Sequence, residues 1–241
     1  MKNYISPLCM FIVSFGLIAS LSSCDEGKIY PEEISHYKTY ANLTVDLKGE
    51  KAFPQKELLV LAGFGDDETT PITTAVIPEP TSAHNIVKAR LGLKGDEKYI
   101  SICIVTKGTT RSVVYEFYRY DLASVPDEEI SLPITELDLS PFDRVQNQIF
   151  NKNCIACHGG STGAAGKLYL TEGKSYENLV NRVAPLSKEG KVFVKPGEPD
   201  DSFILDVLSS DIVAYNHSDI FASMPEYLLL MRSWIEEGAK E

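Results

Sequence analysis

The chain has 241 residues, 44% of them apolar, which suits one large globular domain or two ordinary ones. Its 23 Lys and Arg stand against 34 Asp and Glu, a formal charge of -11, and no basic stripe offsets this, so no nucleic-acid partner is expected. The five cysteines, Cys9, Cys24, Cys103, Cys154 and Cys157, are an odd number, so each thiol needs its own explanation.

The N-terminus comes first. Lys2 is the only charge before Asp25, and the 14 residues Leu8 to Leu21 are apolar apart from two serines and a glycine. That run is too short to span a bilayer as a helix and reads as the apolar part of a signal peptide over residues 1–23. Leu21-Ser22-Ser23-Cys24 resembles the bacterial lipobox, in which the cysteine is acylated and becomes the mature N-terminus. The resemblance implies lipidation at Cys24 and a place in the cell envelope. The alternative is an ordinary secreted protein cleaved near Ser23. Asp25 and Glu26 resemble outer-membrane and surface-export signals of Bacteroidetes lipoproteins, whereas in other bacteria an Asp there resembles an inner-membrane retention signal. The polar residues 24–38 read as a tether.

Residues 39–133 change character. Runs rich in β-branched and aromatic residues recur at Ala41–Leu47, Glu57–Ala62, Ile72–Ile77, Ile86–Leu93, Tyr99–Val105 and Val113–Tyr120, separated by Gly, Pro and Asp clusters. This spacing predicts an all-β antiparallel sandwich, which resembles immunoglobulin-like or fibronectin-like modules. Cys103 lies in an apolar run and is expected to be a buried, inert thiol. His36 and His84 have no neighbouring ligand cluster and are read as surface residues.

After Pro133 the pattern turns helical. Ser140 as N-cap, Pro141 at the first helical position and Asp143 in the first turn predict a helix through Val145, Ile149 and Phe150 to about Asn153. It leads into Cys154-Ile155-Ala156-Cys157-His158, the C-x-x-C-H spacing of covalent haem attachment. Two thiols at that spacing meet the two vinyl groups of one porphyrin, and the next residue brings an imidazole to the iron. A chance match in a chain of this length is on the order of one in several hundred. A zinc site would need a second pair of ligands, and a thioredoxin-like dithiol would need a βαβ setting. One covalent haem c is therefore expected, with Cys154 and Cys157 as attachment residues and His158 on the iron.

The opposite face of the iron has three candidates: Met224, His217 and Met231. Met224 precedes Pro225, which keeps it extended in a loop, and it is the expected ligand. His217 lies in a polar run, and Met231 is spaced with Tyr227, Trp234 and Ile235 as a packing residue of a final helix from Pro225 to about Glu237.

Taken together, residues 140–241 resemble a class I cytochrome c domain. Phe142 to the CIACHGG segment, "KPGEPDDSFI", "SMPE" and "WIEEGA" are similar to the variant found in planctomycete and Bacteroidetes surface proteins. The resemblance implies an all-α cytochrome c fold, thioethers at Cys154 and Cys157, and iron ligation by His158 and Met224. This sequence departs from the family at Ser223 and Glu226, where glycine and proline are common. The function expected is single-electron transfer by a lipid-anchored carrier rather than an enzyme, to a redox partner protein the sequence does not identify. The alternatives are a surface-binding sandwich with the haem domain as sensor or docking accessory, and a peroxidase-like site. Lys152, Lys167, Lys188, Lys191 and Lys195 are candidates to frame a haem edge for an acidic partner.

Overall fold

The computed structural model describes residues 37–81, 84–160 and 163–241. The expected signal peptide over residues 1–23, the expected lipidation site Cys24, most of the expected tether and His36 lie outside the described residues.

Strand β1 (Thr39–Lys48) alternates buried and outward residues, and its inward set, Ala41, Leu43, Val45 and Leu47, is fully enclosed. It pairs antiparallel with β4 (Ile86–Leu93), Leu43 opposite Ala89. Its other edge is shared by two short strands, β7 (Ile130–Ser131) and β8 (Glu136–Asp138), and both run parallel to it. The second sheet has the order β3 (Thr73–Val76), β2 (Leu58–Phe64), β5 (Tyr99–Val105), β6 (Val113–Asp121), all antiparallel. Its inward residues Leu59, Leu61, Ile100, Ile102 and Ile104 join those of β1 in one core. Cys103 points to the other face, where burial pushes its thiol up to about 12 and leaves it inert.

From Phe142 the chain is helical but broken. α1 (Phe142–Val145) runs into a π-helical stretch, Gln146–Cys154, and then α2 (Ile155–His158), so the helix continues through the C-x-x-C-H motif instead of stopping at Asn153. α3 (Ser175–Leu179), α4 (Phe203–Ser209), α5 (Ser218–Phe221) and α6 (Pro225–Glu236) follow. Extended backbone separates them, with bridges Val180 to Val194, Val183 to Val192 and Val192 to Ser202.

The expected fold class, an antiparallel all-β sandwich followed by an all-α cytochrome c fold, is therefore corrected. The architecture is mixed α/β, 27% helical, with about eight strands in two sheets and short helices. Two causes act. β7 and β8 add parallel pairing to a sheet expected to be antiparallel. Between His158 and Phe203, glycines at 159, 160, 163, 166, 173, 190 and 197, prolines at 185, 196 and 199 and a Val-rich stretch stop helices after a few residues.

Strands and helices share one hydrophobic core, in which Leu47, Ala52, Leu137 and Leu139 join Phe142, Val145, Ile149, Phe150, Leu230, Met231, Trp234 and Ile235. Phe142 lies 4.9 Å from the Trp234 ring, and Trp234 Nε1 donates to the Lys240 carbonyl at 2.8 Å. The seam between the two regions is polar as well. Gly49 takes φ 65°, and a Cβ there would come within 2.6 Å of Ser140 Oγ, so the left-handed turn and the close approach both favour glycine. Buried Arg144 donates from Nη1 to the carbonyls of Ala52 (2.8 Å) and Leu139 (2.5 Å), and from Nε to Gln148 (3.0 Å). Among the described residues no helix is long and apolar enough to cross a membrane.

Candidate haem attachment site

The π-helical stretch delivers the motif. Its wider turn lets Asn153 Nδ2 donate to the Ile149 carbonyl at 3.2 Å and places Cys154 Sγ 3.7 Å from the same oxygen. Cys154, Cys157 and His158 then share the single turn of α2 and its entry. The two thiols are not bonded to each other. Cys157 is exposed, whereas Cys154 is half-buried, and burial, helped by the neighbouring Cys157, pushes its thiol up to about 12. At neutral pH Cys154 is a protonated thiol facing the interior.

The segment after the motif folds back onto the helix. The Leu170 amide donates to the His158 carbonyl at 2.9 Å, Gln146 Nε2 donates to the Leu170 carbonyl at 3.0 Å, and Ser175 Oγ bonds Gln146 Oε1. These bonds bring the Leu168 carbonyl to 3.1 Å from His158 Nδ1. A carbonyl can only accept, so Nδ1 carries the ring proton and the Nε2 lone pair is left for a metal. Burial pushes the His158 pKa down, the Leu168 carbonyl and more weakly that of Ala165 oppose this, and His217 adds to the lowering. The neutral, ligating form of the ring is thus favoured.

The His217 ring lies close to that of His158. The rings lie 6.1 Å apart between centres, with planes at 39°. Met224 is the N-cap of α6, half-buried, with its amide on the Phe221 carbonyl (2.9 Å) and its carbonyl accepting from the Tyr227 amide (3.0 Å). The two departures noted beside it fasten this loop to the strand region: Lys56 Nζ donates to the Ser223 carbonyl at 2.7 Å and pairs with Glu226 at 3.0 Å. Met231 is fully buried in the core.

The donor set fits a c-type haem: two unpaired thiols at the attachment spacing, and an imidazole whose distal nitrogen is oriented for ligation by a backbone carbonyl. Among the described residues no group of three or more His, Cys, Asp and Glu is gathered as a metal cage. Two surface clefts, of about 490 Å³ beside Thr70–Val76 and about 670 Å³ beside Leu186–Lys191, are not lined by the motif. Of the five lysines, Lys191 pairs with Asp206 and Glu189, and Lys195 with Glu198 and Asp201. Lys152, Lys167 and Lys188 are exposed and make no ion pair among the described residues.

The carbonyls that orient the histidines belong to Leu168 and Tyr215, and residue type carries no trace of a backbone oxygen's position. The polar run around His217 was the available signal, and it reads equally as a solvated turn. Comparison with known protein families, with curated proteins and with solved structures finds no match to this chain.

Proposed function

We propose that the protein is a monohaem c-type electron carrier, held at a bacterial envelope membrane by lipid on Cys24. The observation that carries this reading is the contact between His158 Nδ1 and the Leu168 carbonyl. In a C-x-x-C-H turn with free thiols, its Nδ1 is committed to the Leu168 carbonyl at 3.1 Å, leaving Nε2 to reach iron. Bound haem supplies a one-electron couple, the chemistry the chain lacks on its own.

The residues divide the remaining work. Cys154 and Cys157 hold the porphyrin edge covalently, which suits a cofactor that must survive outside the cytoplasm. His158 fixes one face, and the Leu168 carbonyl raises the basicity of its ring. The bonds from Gln146 and Ser175 keep that carbonyl in place. The exposed cations of Lys152, Lys167 and Lys188 favour encounter with an acidic redox partner, a contribution to association rate that weakens with salt.

The test is to express the full chain with c-type maturation machinery and measure the pyridine haemochrome of membrane and soluble fractions. One thioether-linked haem per chain is expected, in the membrane fraction for the native protein and in the soluble fraction for Cys24→Ser. A chain without thioether-linked haem overturns the carrier reading, and haem that stays with the membrane in Cys24→Ser overturns the anchor.

A further inference from the structure

Sequence points to Met224 for the second iron ligand, but the geometry points elsewhere: we propose that His217 binds the face opposite His158, making a bis-imidazole site. The inference rests on the haem reading above and names its second ligand.

Three observations carry it. First, separation. Two imidazoles sharing one metal atom from opposite sides, with metal–nitrogen bonds of about 2 Å and ring centres about 1 Å farther out on each side, stand roughly 6 Å apart centre to centre. The rings of His158 and His217 stand 6.1 Å apart. Direct stacking would bring them closer, and unrelated surface histidines 59 positions apart in sequence have no reason to be this near.

Second, tautomer. His217 Nδ1 lies 2.8 Å from the Tyr215 carbonyl. As with His158, the carbonyl requires the proton on Nδ1 and leaves the Nε2 lone pair for a metal. Both histidines therefore carry the same orienting bond on the same nitrogen, the arrangement expected of a ligand pair.

Third, placement. His217 stands at the N-cap of α5, and its turn is fixed by Asn216 Oδ1, which accepts from the Ser218 amide (3.1 Å) and hydroxyl (2.7 Å). The Tyr215 ring meets the imidazole edge-on at 5.2 Å and 84°. The ring is thus held by both the carbonyl and the side chain of Tyr215. Met224 is held differently: Lys56 ties the neighbouring Ser223 carbonyl to the strand region, and the Met224 sulfur makes no hydrogen bond among the described residues.

The ligand set has a measurable consequence. A thioether raises the reduction potential and gives ferric haem a far-red charge-transfer band, whereas two imidazoles give a lower potential and no such band. The experiment uses full-length haem-loaded protein, its haem first confirmed by pyridine haemochrome. Ferric absorption and low-temperature electron paramagnetic resonance are recorded for the native chain, His217→Ala and Met224→Leu.

The expected result is a low-spin bis-imidazole signal without the far-red band in the native protein, unchanged in Met224→Leu. In His217→Ala the low-spin signal is lost or replaced by a thioether band. A far-red band in the native protein that disappears in Met224→Leu overturns the proposal and assigns Met224. The native spectrum decides even if His217→Ala does not load. Absence of thioether-linked haem in the native chain is a different failure, of the carrier reading itself, and takes this assignment with it.

Discussion

The strand region and the region from Ile155 to Phe221 solve the same problem in different ways. In the first, ladders satisfy the backbone and two sheets close over Leu43, Val45, Leu61, Ile102 and their neighbours, so the core needs nothing added. In the second, turns and short helices are tied by scattered backbone bonds, and Val183, Leu186 and Tyr215 remain 62% to 68% exposed. Exposed apolar side chains in single positions are ordinary. The region buries Leu170, Leu179, Val194, Ile204, Leu205, Leu208 and Phe221 in the core it shares with the sheets, rather than closing a core of its own. The lesson is that a segment carrying a C-x-x-C-H motif need not be a self-sufficient helical domain when a sheet beside it provides the shared core.

The largest effect that can break this contrast is in local stability. In the haem-free chain, amides of β1, β2 and β5 should exchange only through global unfolding, while those of residues 163–191 open locally. A gap of roughly 4 kcal/mol, about a thousandfold in exchange rate, is expected. Haem attachment should narrow it, and the double variant Cys154→Ala with Cys157→Ala should behave as the haem-free chain does. Hydrogen exchange read by mass spectrometry checks this, and equal protection of both regions without haem would remove the contrast.

Next in size is the seam. Arg144 is 5% exposed and joins the Ala52 and Leu139 carbonyls of the strand region to Gln148 of the helix. Burial lowers its pKa to about 10, with Glu57 the strongest opposing influence, so it is charged at neutral pH. Arg144→Ala strands two buried carbonyls and removes the charge facing Glu57, and should cost about 3–5 kcal/mol. Urea unfolding followed by tryptophan fluorescence, which reports α6 through Trp234, and by far-ultraviolet dichroism should show the two probes separating. An unchanged midpoint with coincident probes would show that the regions are joined by their apolar contacts alone.

What could be read from sequence follows the range of the interactions involved. The six longer strands lie where β-branched runs and turn residues place them, because both signals are local. β7 and β8 are two and three residues long, carry no period, and exist through pairing with β1 some 90 residues earlier. The glycines and prolines that cut the helices are local signals too, but how few residues each helix keeps depends on the packing around it. Cys154, Cys157 and His158 stand out in the sequence because the C-x-x-C-H spacing is local to one turn of chain. His217 is a candidate in the sequence but ranks below Met224 there, since its approach to His158 depends on the fold of everything between them.

The smallest effect lies at Glu57, which enters β2 on the strand side of the seam. Burial raises its pKa above the ordinary 4.5, outweighing the pull of Arg144 and Lys152, while Glu226 adds to the rise. A folded-state pKa above the unfolded value means that the native chain holds this proton more tightly than the unfolded chain does. Stability from this group is therefore present below the unfolded pKa and is lost as pH rises through the folded one. Glu57→Gln keeps the shape and removes the charge, so at pH 7 the variant should be slightly more stable, by roughly 0.5 kcal/mol. The advantage should vanish below pH 4.5. Thermal melts of both proteins across pH 4 to 8 read the difference directly. A variant less stable at pH 7 would mean that attraction to Arg144 outweighs burial, making the pair a bond across the seam between the two regions.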